Sequence, residues 1–392
     1  MKANPHDIFS KLYSWCRERD FAGFDPFDGL NSRVFQALPL KNVRIARLLW
    51  TQFFKRSPIN LRSIVGIVPE RNAKGIALFA LAALAKYRTE QTKEWEIEAN
   101  EHLDDLMSMA LKGFKGPAWG YNFDWQGRAF FAPKGTPTVV PTAFAARALV
   151  TAAEVLDGDH LRYARTVCDF ILNDLNRSEE TADEICFSYS PRDRTRVFNA
   201  SLLAGETLAK IGQLTKERSL CDFGMRAARY VIRRQRADGS WAYGADDFQS
   251  WADNFHTAFL LSSLSRIIDS CEGALDEFEP ALVRGYEFWR ERFFLSNGWP
   301  KYFPDRLYPA DAHSAGAALV TLADLSGRMP GAMLLAEKII EWAFDNLWNP
   351  AGYFYYQKQR LYRNRIAYMR WSEAWLCYGA AMMQEASQNR LR

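Results

Sequence analysis

Long apolar runs, paired cysteines and an excess of one charge are all missing from this 392-residue chain. Its longest apolar stretches, such as Gly75 to Ala85, fall well short of the ~20 residues that span a bilayer, so no membrane insertion is expected. The opening MKANPHDIFSKLYSWCRERD has no apolar signal-peptide core, which points to a cytoplasmic location. Six cysteines are scattered without a CxxC pair, and read as free thiols instead of a disulfide framework or zinc site. Fifty Lys and Arg stand against 46 Asp and Glu, a balance too neutral for a nucleic-acid binder, whose footprint is a clustered basic excess. GxGxxG, P-loop, HExxH and GxSxG motifs are absent, as is any His/Cys cluster with metal spacing. No metal and no cofactor is therefore expected. The sequence is silent on oligomeric state.

Aromatic residues, by contrast, are abundant, with 27 Phe, 16 Tyr and 13 Trp, and the question is where they fall. Five segments share one layout: an aromatic-glycine stretch, a polar loop, then an Ala/Leu-rich helix. They cover 116–156, 186–212, 238–267, 297–325 and 351–382. Superposed by their helices, they align Thr142, Asn199, His256, His313 and Arg370 at a constant step of 57 residues. A more divergent sixth member, RNAKGIALFALAALAKY, places Asn72 at the same point. Between them lie helices with apolar residues at i, i+3, i+4 and i+7 and charges opposite, over 97–114, 160–175, 216–235, 279–294 and 331–348. The Ala/Leu-rich helices are apolar on nearly all sides, as buried helices are. Alternating inner and outer helices predict an all-α (α/α)6 toroid over the whole chain, 1–392. Residues 70–385 would form six hairpins, and 1–55 would complete or buttress the ring. The short aromatic-glycine segments at Trp119, Ser240, Trp299 and Tyr353 are expected as hairpins at its mouth.

Closing the ring brings the six aligned positions to one mouth as a polar collar. Helix N-termini converging there favour an anion. His256 and His313 are the leading candidates for proton transfer, because two of only five histidines occupy equivalent collar positions. Asp253 and Asp311 stand just before them, as helix N-caps or as groups that orient the imidazoles or act as acid and base. Arg370 would hold a carboxylate or phosphate, or pair with Glu373 one turn on. Asn199 and Asn254 would help neutralise a uronate. Trp119, Tyr121, Trp125, Trp241, Tyr243, Trp299, Tyr302, Tyr356 and Trp371 are candidate stacking platforms for sugar rings. Asp246 and Asp247 read as a solvated loop or a metal-binding pair.

Three resemblances bear on this reading. Gln235-Arg-Ala-Asp-Gly-Ser-Trp241 resembles the Gln…Gly-x-Trp repeat of squalene cyclases and protein prenyltransferases, α/α toroids whose catalytic acids and zinc ligands have no counterpart here. Trp119-Gly-Tyr-Asn-Phe-Asp-Trp125, Phe187-Ser-Tyr-Ser190, Asp253-Asn-Phe-His-Thr257, Asp311-Ala-His-Ser314 and Tyr368-Met-Arg-Trp371 resemble, in order, a bacterial exopolysaccharide and capsule biosynthesis family. Some of its members carry a delta-aminolevulinate dehydratase label, an activity these residues do not support. That likeness implies a cytoplasmic toroid in polysaccharide synthesis. The fold expected is also similar to the N-acylglucosamine 2-epimerases, whose paired histidines move a proton at a sugar carbon. The expectation is a glycan-active enzyme of epimerase or lyase type acting on an anionic sugar or oligosaccharide. The alternatives are a glycoside hydrolase using Asp253 and Asp311, a non-catalytic glycan-binding factor, and terpene chemistry.

Overall fold

The computed structural model describes residues 4–128 and 130–389. Its helices are α1 (Pro5–Arg17), α2 (Arg33–Ala37), α3 (Arg44–Arg56), α4 (Ala73–Glu90), α5 (Lys93–Ser108), α6 (Val139–Ala153), α7 (His160–Asn173), α8 (Phe198–Thr215), α9 (Arg218–Ile232), α10 (Asn254–Ser270), α11 (Ala274–Phe293), α12 (Ala312–Asp324), α13 (Ala332–Leu347) and α14 (Ala374–Asn389). The even-numbered helices from α4 to α14 are the predicted Ala/Leu-rich ones. They are buried over most of their length, because they have no polar face to offer water. Each packs on the next, and α14 packs back on α4, which closes the ring. Each inner helix also packs on the amphipathic helix that follows it; α14, which has none, packs on α1 from the far end of the chain. The result is the expected α/α toroid.

The loops entering the inner helices carry the short strands. Trp125–Gln126 pairs with Phe131–Ala132, Arg177–Glu180 with Ile185–Phe187, and Trp348–Asn349 with Tyr353–Phe354. Ala310–Asp311, Gln357–Lys358 and Arg363–Asn364 form a three-stranded patch. The segments at Trp119, Trp241 and Trp299 are not strands; they run as irregular chain pinned by their tryptophans. A glycine turn lies against the next outer helix, and the indole fills the wall behind it. Gly239 and Gly298 have φ of +87° and +82°, and a Cβ there would meet the Arg284 and Lys338 carbonyl oxygens at 2.5 and 2.2 Å. Only glycine fits both demands.

One or two turns beyond the collar the ring is plugged by charge. Arg147 on α6 makes a bidentate pair with Glu206 on α8 (3.0 and 2.6 Å), and Ser263 on α10 donates to the same carboxylate. Arg266 on α10 pairs with Asp324 on α12 (2.8 Å). Burial raises the Glu206 pKa, but Arg147 and Arg266 outweigh that and hold it below the usual range. At the opposite end, residues 20–70 cross the mouth as a lid. Gly23 bridges to Glu70 and Phe24 to Tyr368, and Arg47 on α3 donates to Gln126 (2.8 Å).

Candidate functional site

Asp253 and Asp311 are both N-caps, but only Asp253 also orients the imidazole three residues on. Asp253 Oδ1 accepts from the His256 backbone N–H at 3.0 Å, while Oδ2 lies 2.7 Å from His256 Nδ1. A carboxylate oxygen accepts, so Nδ1 carries the hydrogen and Nε2 is left as the free nitrogen. The capping geometry thus fixes the ring orientation: three residues into a helix, a side chain lies beside its own cap. Trp251 Nε1–H donates to the same Oδ2 at 3.3 Å. Tyr243 stacks on Trp251 at 4.9 Å and lies 4.6 Å from the His256 ring. The His256 side chain keeps 23% of its surface, so this group is open to the mouth.

Asp311 Oδ1 caps α12 through the Ser314 N–H (2.8 Å), and its Oδ2 is buried without a partner. Burial pushes this carboxyl up to about 6, and nearby Asp253 adds to the rise. The Ser314 bonds and Lys55 pull it down only in part. Lys55 enters from α3 in the lid, its ammonium 4.5 Å from the centre of the Phe27 ring. Burial lowers its pKa, and the fields of Asp311 and Asp253 act against that. Tyr302, half-buried beside Phe255, has its phenol pushed well up by burial and then by the same two acids.

His313 takes a different place. It is fully buried and stacks on Trp371 at 4.0 Å. Its Nδ1–H donates to the Trp371 carbonyl (2.9 Å), and Nε2 has no partner. Burial, then the charge of Lys74, holds it well below the ordinary histidine range, so the ring is neutral. Phe255 separates the two imidazoles, with its ring 4.1 Å from His256 and 4.5 Å from His313. Lys74 is buried among the Phe144, Phe259 and Trp375 rings, and burial followed by Arg370 drives its pKa well down.

Arg370 reaches the mouth already paired. Its Nε and Nη2 donate to the two oxygens of Asp25 at 2.6 and 2.8 Å. Glu373 turns away, accepts from the Phe354 N–H (2.9 Å), and burial pushes it well above the usual carboxylate range. The guanidinium lies over Tyr121, whose hydroxyl meets that of Tyr189 at 3.0 Å; Trp125 packs on Tyr189. Beside Arg370 the lid leaves a cavity of only about 10 Å³, too small for a sugar.

The other collar and aromatic positions divide between mouth and wall. Asn72 caps α4 and donates to Asn122 (2.6 Å). Thr142 accepts from the Trp119 N–H, tying loop to helix. Asn199 is buried with its Oδ1 unpartnered. Tyr356 is buried edge-on to Tyr368. Trp119, Trp241 and Trp299 lie in the wall, their indole N–H groups donating to the Leu106, Val231 and Leu307 carbonyls. Asn254 holds Trp289 and the Lys301 carbonyl there too. Asp246 pairs with Arg196 (2.7 Å). Among the described residues no group of three His, Cys, Asp or Glu is placed to hold a metal. Asp25, Phe27, Lys55 and Lys74 were not anticipated. The first three lie outside the repeats, and nothing in their spacing marks them; Lys74 lies in the first turn of the apolar helix after Asn72, where a cation in an apolar stretch is the signal.

No protein-family model matches the chain, and no curated protein matches it in sequence. Solved structures match its fold. A cellobiose 2-epimerase from Bacillus thermoamylovorans B4167 aligns with a TM-score of 0.62 at 14% identity, over 82% of this chain and 88% of its own. A D-mannose isomerase aligns at 0.60 and 12%, over 79% and 86%. An unsaturated glucuronyl hydrolase specific for heparin aligns at 0.59 and 13%, over 81% and 86%. At these identities the likeness is one of fold, the α/α toroid.

Proposed function

We propose that the protein is a carbohydrate-active enzyme that moves a proton at a sugar carbon, as an epimerase, isomerase or lyase does. The observation that carries this is the Asp253–His256 pair: an imidazole oriented at Nδ1 by a buried carboxylate, partly open, beside a stacked Tyr243–Trp251 platform. His256 Nε2 is the group that takes or returns the proton. Tyr243 and Trp251 wall the recess beside that nitrogen, with Arg128 lying over the Trp251 ring, and Tyr302 adds a hydroxyl. His313 supports the floor under Trp371 and keeps its lone pair away from the substrate while the lid is closed. Lys55, which feels the fields of both acids, is the cation available to a carboxylate or phosphate of the substrate, since Arg370 is held by Asp25. Sugar-handling toroids among the fold matches support the substrate class. The resemblance of five motifs to an exopolysaccharide and capsule biosynthesis family supports a cytoplasmic role in bacterial polysaccharide synthesis.

Hydrolysis by Asp253 and Asp311 is the weaker reading. Each acid spends one oxygen on a helix cap; the other is bonded to His256 and Trp251 in Asp253, and buried in Asp311. Neither presents a free oxygen to a glycosidic bond.

The test is solvent exchange. The protein is incubated in D2O with a panel of reducing mono- and disaccharides and uronates, and deuterium entering carbon-bound positions is read by NMR. A turnover is expected that His256→Gln lowers by at least about 10²-fold while sugar binding survives. Exchange unchanged in that variant, or new reducing ends without deuterium, would overturn the assignment.

A further inference from the structure

The lid has a second face, and its composition is unlike the rest of the chain. From Gly29 to Pro69 there are seven Lys or Arg and no Asp or Glu. Ten of the nineteen exposed large apolar side chains among the described residues fall in this stretch. On α3, Ile45, Leu49 and Phe53 are 67%, 67% and 52% exposed. Spaced four apart, they form one stripe pointing away from the ring, while Thr51 and Phe54 of the same helix are buried against it. Ile64 beyond the helix is 78% exposed. Arg33, Lys41, Arg44 and Arg56 are exposed around the stripe; Arg62 is turned inward onto Asp28 and Lys55 toward the collar acids.

An exposed apolar stripe of this kind, in a stretch this rich in exposed apolar side chains, marks an interaction site. Its charge decides the partner. A second copy of the chain in a two-fold contact would set this stretch against itself, cation facing cation with no acid to pair. An anionic bilayer meets both demands: apolar side chains sink into the headgroup–acyl boundary while flanking cations meet lipid phosphates. We propose that the outer face of α2 and α3 is a docking surface for an anionic lipid bilayer, on which the protein adsorbs. No helix among the described residues is long and apolar enough to cross a membrane, so the association is peripheral. The recess beneath the lid would then lie close to the bilayer. The inference does not depend on the sugar chemistry assigned above.

Flotation of the full chain with vesicles tests it. The protein is expected to float with phosphatidylcholine mixed with phosphatidylglycerol, not with phosphatidylcholine alone, and less as salt is raised. Lys41→Glu with Arg56→Glu should weaken partitioning about fivefold per cation removed. Leu49→Glu with Phe53→Glu should abolish it. All four side chains are exposed, so thermal unfolding should be unchanged and serves as the control for folding. Equal flotation on neutral vesicles, full retention by the Leu49/Phe53 variant, or no flotation at all would overturn the proposal. So would a dimer in solution that the Leu49/Phe53 variant dissolves, which would assign the face to a second copy.

Discussion

Asp311 shows how one collar residue carries two opposed effects. As the cap of α12 it satisfies the Ser314 N–H, and capping of this kind stabilises by about 1 kcal/mol. As a buried carboxyl beside Asp253 it is costly when ionised, which is why its pKa rises from 3.8 to about 6. Between those two values the folded chain binds more protons than the unfolded one, so stability falls as pH rises through this window and levels off above it. Asn caps a helix as well as Asp does but cannot ionise. Asp311→Asn is therefore expected to be more stable than the parent above pH ~6, by up to about 3 kcal/mol, and to lose that advantage below pH ~4. Urea unfolding across this range measures it; identical pH profiles for the two proteins would refute the account. The positions of His256 and His313 were legible from the 57-residue step alone, because phase along a repeat fixes which helix end a residue occupies. Their difference was not. One is partly open and held by a carboxylate; the other is sealed under Trp371, and that depends on neighbours more than 50 residues away in sequence.

At the scale of single elements, the Gly-x-Trp signal is a building device of the wall. Trp241 is buried, with its N–H on the Val231 carbonyl at the end of α9, and Gly285 of α11 leaves room for its ring. A Cβ on Gly285 would come within 2.2 Å of that indole. Gly285→Ala is expected to destabilise by about 1–3 kcal/mol through overpacking, with solvent exchange at the sugar carbon unaffected. Chemical denaturation alongside the exchange assay separates the two; loss of exchange in a folded variant would return Trp241 to the substrate site. Sequence spacing located these tryptophans but not the direction they face. An indole next to a glycine turn suits a sugar platform or a wall equally, and only the approach of the neighbouring outer helix decides between them. At Trp119, Trp241 and Trp299 the expected hairpins are reduced to isolated bridges for the same reason. Their composition favours strands, but pinning by the indoles and the close approach of outer helices to glycine turns cut the pairing to single antiparallel bridges such as Gly120–Pro137, Val197–Gly244 and Phe294–Pro300.

For the molecule as a whole, the joint between Asp25 and Arg370 matters most. The two residues are 345 apart in sequence, and their buried bidentate pair fastens the lid to the turn Met369–Glu373 that enters α14. Removing one member of a buried pair strands the other charge. Asp25→Ala is therefore expected to cost about 3–5 kcal/mol in urea unfolding and to make residues 29–69 the first site of limited proteolysis. A variant as stable and as resistant as the parent would mean the lid is held elsewhere. The ring itself was determined by the sequence, since helical periodicity and the repeat step are local properties that any six such hairpins express when they bury their apolar faces. Which charges remain free at its mouth was decided only by tertiary structure. Sequence offered Arg370 as the anion holder; folding gave it to Asp25 and brought Lys55 to the collar acids instead. Ion pairing depends on distances of a few ångströms between segments that meet only when the ring closes, and no spacing along the chain encodes those distances.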